Sequence, residues 1–339
     1  METIEEVKTD KIIINFQPEF VENETEKISA QYFVLCENSE EINDEIYAHK
    51  ILGVSILDWV QRACENRPLV LNLNEEQSII EQIRPYLNGS KYSVVLYGNT
   101  PLVTKQHLND LLGFVERKHL SVCKLEKGYV FKNEFISRMD EFFSTDTYDF
   151  SADDFFEVKN MLDAKAAADI LKTRLLEFYM KNGVNFENSE TIFVDALSEI
   201  AYMANISSGA NISGGSKIDT NAKIGANAVI TNSKIGDDVI IGANAVVEGS
   251  IIKSGAKIAS GTTIKGSVVG ENVTIDVGSK IVASAIQGDS SVGACSSVLN
   301  SKVEESVSIG SGVVVLKSKL ETETKIDDGA KIVCNQSKN

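Results

Sequence analysis

Along the second half of the chain, aliphatic residues recur every six positions at Ile200, Ile206, Ile212, Ile218, Ile224 and Ile230. One step then shortens to five, reaching Ile235, and from there the pattern runs six, six, five without a break. Ile218, Ile235, Ile252, Val269, Ile286, Val303 and Leu320 are each 17 apart. The residue two places before each of them is serine: Ser216, Ser233, Ser250, Ser267, Ser284, Ser301 and Ser318. Elsewhere the same offset holds residues such as Ala222, Ala256, Thr262 and Val273. A fixed period of this size belongs to stacked units, none of which can bury its apolar face alone. Three short strands per turn make a triangular coil, with the aliphatic residue filling the interior and the small residue pointing inward near a corner. The pattern predicts a left-handed parallel β-helix from about Thr191 to Val333, in eight coils. At about 4.8 Å per strand spacing the prism is roughly 38 Å long. Glycine follows many of the aliphatics (Gly225, Gly236, Gly242, Gly270, Gly293 and Gly310), where it is expected to supply the positive φ of tight corners.

The first half has a different rhythm. Short apolar runs at Tyr32–Cys36, Pro68–Leu73, Tyr92–Tyr97, Leu120–Leu125 and Tyr129–Phe131 read as strands. Helical stretches at Ser55–Glu65, Glu75–Leu87 and Thr104–Arg117 lie between them. Strands alternating with helices imply a mostly parallel, doubly wound sheet. Ligands on such sheets bind at the carboxyl ends of the strands. That singles out the loops after Cys36 and Tyr97. Residues 157–182 form one Ala-, Leu- and Lys-rich helix ending at Gly183, a normal C-terminal cap. The expected organisation is an N-terminal extension (1–30), an α/β domain (31–156), a connecting helix (157–183) and the β-helix (184–335).

Composition narrows the function classes. The 339 residues carry a net charge of −16, which argues against a nucleic-acid or anionic-membrane partner, because both need a basic surface. No apolar run approaches membrane-spanning length. The five cysteines are scattered and odd in number, fitting neither a disulfide framework nor a metal site. A reducing, cytoplasmic location is the simplest expectation.

The order of alternating sheet, connecting helix and hexapeptide prism, with three stretches, carries a family resemblance. The stretches are VVLYGNTPL (94–102), RLLEFYMKNGVNFENSETIFVD (174–195) and corners such as TNSKIG (231–236). Together they resemble the bacterial bifunctional N-acetylglucosamine-1-phosphate uridyltransferase/glucosamine-1-phosphate acetyltransferase family. The wider group of sugar-phosphate nucleotidyltransferases with a C-terminal β-helix is similar too. The resemblance implies a Rossmann-like nucleotidyltransferase-type domain, here truncated, before the β-helix.

What the resemblance implies for the site is mostly a set of departures. The family places a Gly-rich phosphate loop with an Arg after the first strand. Here YFVLC is followed by ENSEEIN (37–43), with no glycine and no arginine. Glu37, Glu40 and Glu41 stand where a triphosphate would sit, and like charges repel there. The family's Mg²⁺ ligands are an Asp in YGDxPL and an Asn in a VNNRxxL-like stretch. The corresponding positions here hold Asn99 (in YGNTPL) and Lys159 (in VKNMLDA, 158–164). An ammonium cannot ligate a cation, although Asn160, one place on, could restore the ligand through a register slip. Lys50 matches the family's lysine after the loop, or is an ordinary solvated lysine. A vestigial nucleotide site would comprise Lys50, Gly98, Asn99 and Pro101, with no metal. The sugar-binding wall between Leu102 and Glu157 is short. The family's acetyl transfer needs a His general base on the prism. The three histidines, His49, His107 and His119, all lie in the other domain, and His107 and His119 read as solvated residues flanking a helix.

Three functions stay open at this stage. The leading one is a catalytically inactive relative of UDP-N-acetylglucosamine pyrophosphorylase-like enzymes, acting as a binding, regulatory or scaffolding protein without a cofactor. The second is an active, Mg²⁺-dependent sugar-1-phosphate nucleotidyltransferase. The third is a β-helix acyltransferase with a base other than histidine. A homo-oligomer, as a trimer through the β-helix, and a protein partner are the expected associations.

Overall fold

The structure is a computed structural model in which residues 28–38, 42, 44–138, 144–148 and 154–333 are described. Residues 1–27 of the expected N-terminal extension, Glu40, Glu41 and Cys334 lie outside the described residues, whereas Ala30, placed in that extension, already opens the first strand. The chain divides into two compact units, with the boundary at Arg174, inside the connecting helix.

The first unit is an α/β sheet. Its strands and helices follow as β1 (Ala30–Cys36), α1 (Asp44–Ala48), β2 (Lys50–Ile51), β3 (Val54–Ser55), α2 (Ile56–Ala63), β4 (Leu69–Asn72) and α3 (Ile79–Ile83). Then come β5 (Tyr92–Tyr97), α4 (Lys105–Arg117), β6 (Val122–Leu125), β7 (Gly128–Lys132), α5 (Asn133–Arg138), β8 (Thr145–Thr147) and α6 (Met161–Lys181). The six-stranded sheet has the order β4-β1-β5-β7-β6-β8. β1 pairs in parallel with both β4 and β5, whereas β7 is antiparallel to both β5 and β6. The mostly parallel character expected from the alternation therefore holds: β4, β1, β5, β6 and β8 run in one direction, with β6 and β8 paired in parallel. β7 alone is reversed, because the two-residue link from β6 permits only a hairpin.

β1 and β5 are buried along almost their whole length, so they read as continuous apolar runs rather than alternating ones. One face of the sheet packs Tyr32, Val34, Val94 and Leu96 against Val60, Leu108, Leu111 and Val115 of α2 and α4. The other packs Phe33, Leu35 and Val95 against Ile83, Phe131 and Ile136. The helix predicted over Glu75–Leu87 is shorter than its periodicity implied. Ser78 and Glu81 close a capping box that starts it at Ile79, and Pro85 turns its last residues into a 3₁₀ turn. α4 starts where Thr104 accepts from the His107 backbone N–H.

The second unit is a parallel β-helix. Two of its faces carry nine strands and the third carries eight. The coils thus begin earlier than the hexad pattern shows. Asn185–Phe186 pairs with Asn205–Ile206, a step of 20 residues that the six-residue period hides. After that, coils stack at 18 residues (Ile212 on Ile230) and then 17 (Ile235 on Ile252), in the register that the aliphatic series predicts. Ile230, Ile235, Ile252, Val269 and Ile286 are buried, as are the small residues two places before them.

The serine series forms a buried hydrogen-bonded column. The Ser267 backbone N–H donates to Ser250 Oγ at 3.1 Å, and Ser284 N–H donates to Ser267 Oγ at the same distance. Each hydroxyl in turn donates to the carbonyl two residues before it, as Ser267 Oγ does to Lys265 O at 2.8 Å. Every buried serine of the run from Ser233 to Ser301 is satisfied on both counts, which a buried hydroxyl requires.

The glycines play a different part from the one expected. Gly225, Gly236, Gly242, Gly270, Gly293 and Gly310 do not have positive φ. They sit where the next coil's backbone presses against them. A Cβ on Gly270 would lie 2.6 Å from Gly288 N, and one on Gly225 2.6 Å from Ala243 N. Positive φ falls instead on a separate corner position, held by Asn227, Asn244, Gly261 and Gly278 in successive coils. Asn tolerates that conformation better than most side chains, which is why these corners carry less of a glycine signal.

Candidate functional site

The carboxyl ends of β1 and β5 lie side by side, with Leu35 in register with Tyr97 and the Gly98 N–H donating to Leu35 O at 2.8 Å. The fold thus brings together the two loops that the sequence singled out. Side chains fill the space between them. Cys36, Ile42 and Tyr47 form a small buried cluster with Leu57 against it. A Cβ on Gly98 would lie 3.1 Å from both Leu57 Cδ1 and Tyr47 Cε1, and 3.2 Å from Cys36 Sγ. The Tyr47 hydroxyl donates to Glu37 O at 3.1 Å, tying the first residue after β1 to this cluster. Burial, reinforced by Asp44, pushes the Cys36 thiol up to about 11, so it is neutral near pH 7. Burial also raises the Tyr47 hydroxyl well above the ordinary tyrosine range.

Behind this cluster the turn after β5 meets the segment before α6. Asn99 is 1% exposed. Its backbone carbonyl accepts from Val158 N–H at 2.8 Å. Its side-chain amide donates to Glu157 Oε1 at 3.2 Å and to Val158 O at 3.3 Å. Its Oδ1 is buried and has no hydrogen-bond partner. Glu157 also accepts from two ammonium groups, Lys127 Nζ at 2.9 Å and Lys159 Nζ at 3.2 Å. Burial raises the Glu157 carboxyl. Hydrogen bonds from Lys127, Asn99 and Lys159 outweigh burial and hold it below the usual carboxylate range.

This donor set does not fit the Mg²⁺ that the resemblance implies. Asn99 offers one neutral oxygen, and the adjacent carboxylate is already neutralised by two lysines. Mg²⁺ prefers carboxylates together with phosphate and water. Asn160 does not restore the ligand. Its Oδ1 accepts the Leu162 and Asp163 backbone N–H groups at 2.9 and 3.1 Å, so it caps α6. Among the described residues no group of three or more His, Cys, Asp or Glu side chains is placed to hold a metal ion.

The remaining sequence-singled residues are spread more widely. Pro101 is buried in the turn after Asn99, and Leu102 beside it is fully buried. Lys50 is exposed on the β2–β3 hairpin, paired in register with Ser55. It makes no ion pair among the described residues. Glu157 and Lys127 were missed by sequence reasoning. Lys127 sits in the β6–β7 turn, and only the hairpin geometry brings it to Glu157. His119 is exposed, as expected, but His107 is not simply solvated. It is partly buried, its Nδ1 accepts from Thr104 N–H at 3.3 Å, and its Nε2 lies 3.4 Å from Asp154 Oδ1.

On the β-helix, a shallow hollow of about 550 Å³ lies on one early face, lined by Asn205, Ser207, Asn221, Lys223 and Ile240 among others. Residues 232–266 match the bacterial transferase hexapeptide (six repeats) family. The second unit is a hexapeptide-repeat β-helix. No curated protein matches the chain in sequence. Among solved structures, UDP-N-acetylglucosamine acyltransferase from Campylobacter jejuni is 17% identical, with 41% of this chain and 65% of that chain covered and a TM-score of 0.21. A mutant GDP-perosamine N-acetyl transferase from Caulobacter crescentus is 14% identical over 83% of this chain and 93% of that chain, with a TM-score of 0.24. UDP-N-acetylglucosamine acyltransferase from Arabidopsis is 17% identical over 44% of this chain and 62% of that chain, with a TM-score of 0.17. The chain thus spans less than two-thirds of the first of these structures. At such distances no substrate or activity carries across. No helix among the described residues is long and apolar enough to cross a membrane.

Proposed function

We propose that this hexapeptide β-helix protein serves as a binding or assembly component, and that its α/β unit does not transfer nucleotidyl groups. One observation carries the reading: Lys127, Lys159 and Asn99 converge on Glu157 beside a cleft filled by Cys36, Tyr47 and Leu57. Nucleotidyl transfer needs an open anion site and a metal to neutralise the developing charge. Here the strand ends are closed by apolar side chains, and the cations are spent on an internal carboxylate. The prism supplies a rigid rod for association. Ile251 and Val268, register neighbours on one face, are 44% and 38% exposed and form an apolar strip suited to another prism in a homo-oligomer. Pyrophosphate release from several nucleoside triphosphates with sugar 1-phosphates, in the presence of Mg²⁺, tests the reading. No turnover is expected, and robust turnover overturns it.

Acyl transfer is the second reading, favoured by the transferase family to which residues 232–266 are similar. It requires a base other than histidine, because residues 185–333 contain none. Release of free thiol from acetyl-CoA, with amino sugars and their nucleotide derivatives as acceptors, would establish it. Absence of acetyl-CoA binding in calorimetry removes it.

A further inference from the structure

The two edges of the α/β sheet are built differently. β8, at one edge, carries Asp146, whose carboxylate pairs with Lys118 Nζ at 2.7 Å. Charged side chains on an edge strand discourage further pairing. β4, at the other edge, reads Leu-Val-Leu-Asn and carries no charge. Leu69 and Val70 are 39% and 38% exposed although they point to opposite faces of the sheet.

The hydrogen-bonding directions of β4 follow from its pairing with β1. Leu73 N–H donates to Cys36 O at 2.8 Å, and β1 and β4 run in parallel register from Phe33–Leu69 to Cys36–Asn72. Odd-numbered residues of β4 therefore direct their backbone groups to β1, and Val70 and Asn72 direct theirs outward. We propose that this edge pairs with the same edge of a second copy of the chain. The two strands run antiparallel about a two-fold axis through Leu71.

The register is specified three ways. With Leu71 opposite Leu71, Val70 of one copy faces Asn72 of the other. Both residues present outward groups, so each such pair exchanges two backbone hydrogen bonds. On the face that carries Leu71 and Leu73, Leu69 comes opposite Leu73, extending the aliphatic layer of Phe33, Leu35 and Val95 across the axis. Just beyond the paired residues, Arg67 of each copy comes within reach of Glu75 of the other, at the start of the turn that Gln77 N–H closes on Asn74 O. Both side chains are exposed, and neither makes an ion pair among the described residues. The ladder ends naturally, because Pro68 has no N–H and the Asn74 N–H already donates to Gln82 Oε1 at 3.0 Å. Pairing β4 with itself is isologous and closes, joining two six-stranded sheets into one. Pairing β4 with β8 would instead propagate into fibres, and the charge on β8 opposes it.

Sedimentation of the full chain over a dilution series tests this, using Val70→Pro, Arg67→Glu and Glu75→Arg. Val70→Pro removes an outward N–H and leaves the bonds to β1 intact. Wild-type chain should double its assembly mass with rising concentration, whatever state the prism itself adopts. Val70→Pro should abolish the doubling with an unchanged circular dichroism spectrum. Arg67→Glu and Glu75→Arg alone each place like charges opposite one another, and should weaken the doubling by about tenfold. An equimolar mixture of those two variants places Glu opposite Arg at both ends, and should restore it. The proposal is overturned if the wild-type mass does not double, if Val70→Pro or Arg67→Glu behaves like wild type, or if the mixture associates no better than its components.

Discussion

The Asn99 side-chain amide donates to Glu157 Oε1 at 3.2 Å across a separation of 58 residues. It ties the turn after the central strand to the segment that starts α6. Lys127 and Lys159 complete the arrangement on the same carboxylate. Replacing Glu157 with Gln removes the charge that both lysines face, and should lower the stability of the first unit by about 1–3 kcal/mol in urea unfolding. An unchanged midpoint would show that the network contributes nothing.

The same carboxylate sets a pH dependence. Its pKa is lowered in the folded protein. Its stabilisation is therefore fully present above the ordinary carboxylate range and is lost as pH falls through the lowered folded value. The difference in melting temperature between wild type and Glu157→Gln should be largest near neutrality and shrink on acidification below the ordinary carboxylate pKa. A difference that grows at acid pH contradicts this assignment.

In the serine column, removing one hydroxyl leaves the next coil's buried N–H without its acceptor. Ser267→Ala strands the Ser284 N–H in this way. A cost of about 1–3 kcal/mol is expected, with faster amide exchange localised at Ser284. Exchange unaltered at that amide would show that the column is not load-sharing between coils.

Two glycines separate close approach from backbone freedom. Gly261 has φ +69 and open space around its absent Cβ, so Gly261→Ala should cost about 1–2 kcal/mol of left-handed strain. Gly270→Ala drives a Cβ to 2.6 Å from Gly288 N. It should cost more than Gly261→Ala, because stacked backbone cannot move aside without breaking inter-coil bonds. Equal unfolding midpoints for the two variants would remove the distinction.

Thiol reactivity reports the closed strand ends. Cys295 is exposed, whereas Cys36, Cys64 and Cys123 are buried. Burial pushes their thiols up to about 11, 12 and 11, with Asp44 adding to the effect at Cys36 and Asp146 at Cys123. Peptide mapping after brief alkylation at pH 8 should find Cys295 modified and these three protected until denaturant is added. Rapid labelling of Cys36 in the native protein would mean that the cleft is open.

The β-helix was legible in sequence because its contacts are local and periodic. A residue meets its neighbour 17 or 18 positions on, so one series of aliphatics and serines encodes both interior and register. Phe186 was missed because its partner, Ile206, stands 20 residues away. The role of the glycines was misread because a letter does not say whether the missing Cβ spares a dihedral or a neighbouring coil. In the first unit, the strand runs could be read directly, and so could the lack of glycine and arginine in residues 37–43 and the amide in place of a carboxylate at Asn99. What packs around these positions could not. Lys127, Asn99, Glu157 and Tyr47 come from four separate parts of the chain, and no spacing rule links them. Only the paired ends of β1 and β5, the β6–β7 hairpin and the capped start of α6 bring them together. The sequence alone determined a repeating rod and an acidic, glycine-free segment after the first strand; tertiary structure decided which side chains meet at the ends of β1 and β5, because burial and charge pairing between distant segments exist only once the sheet has formed.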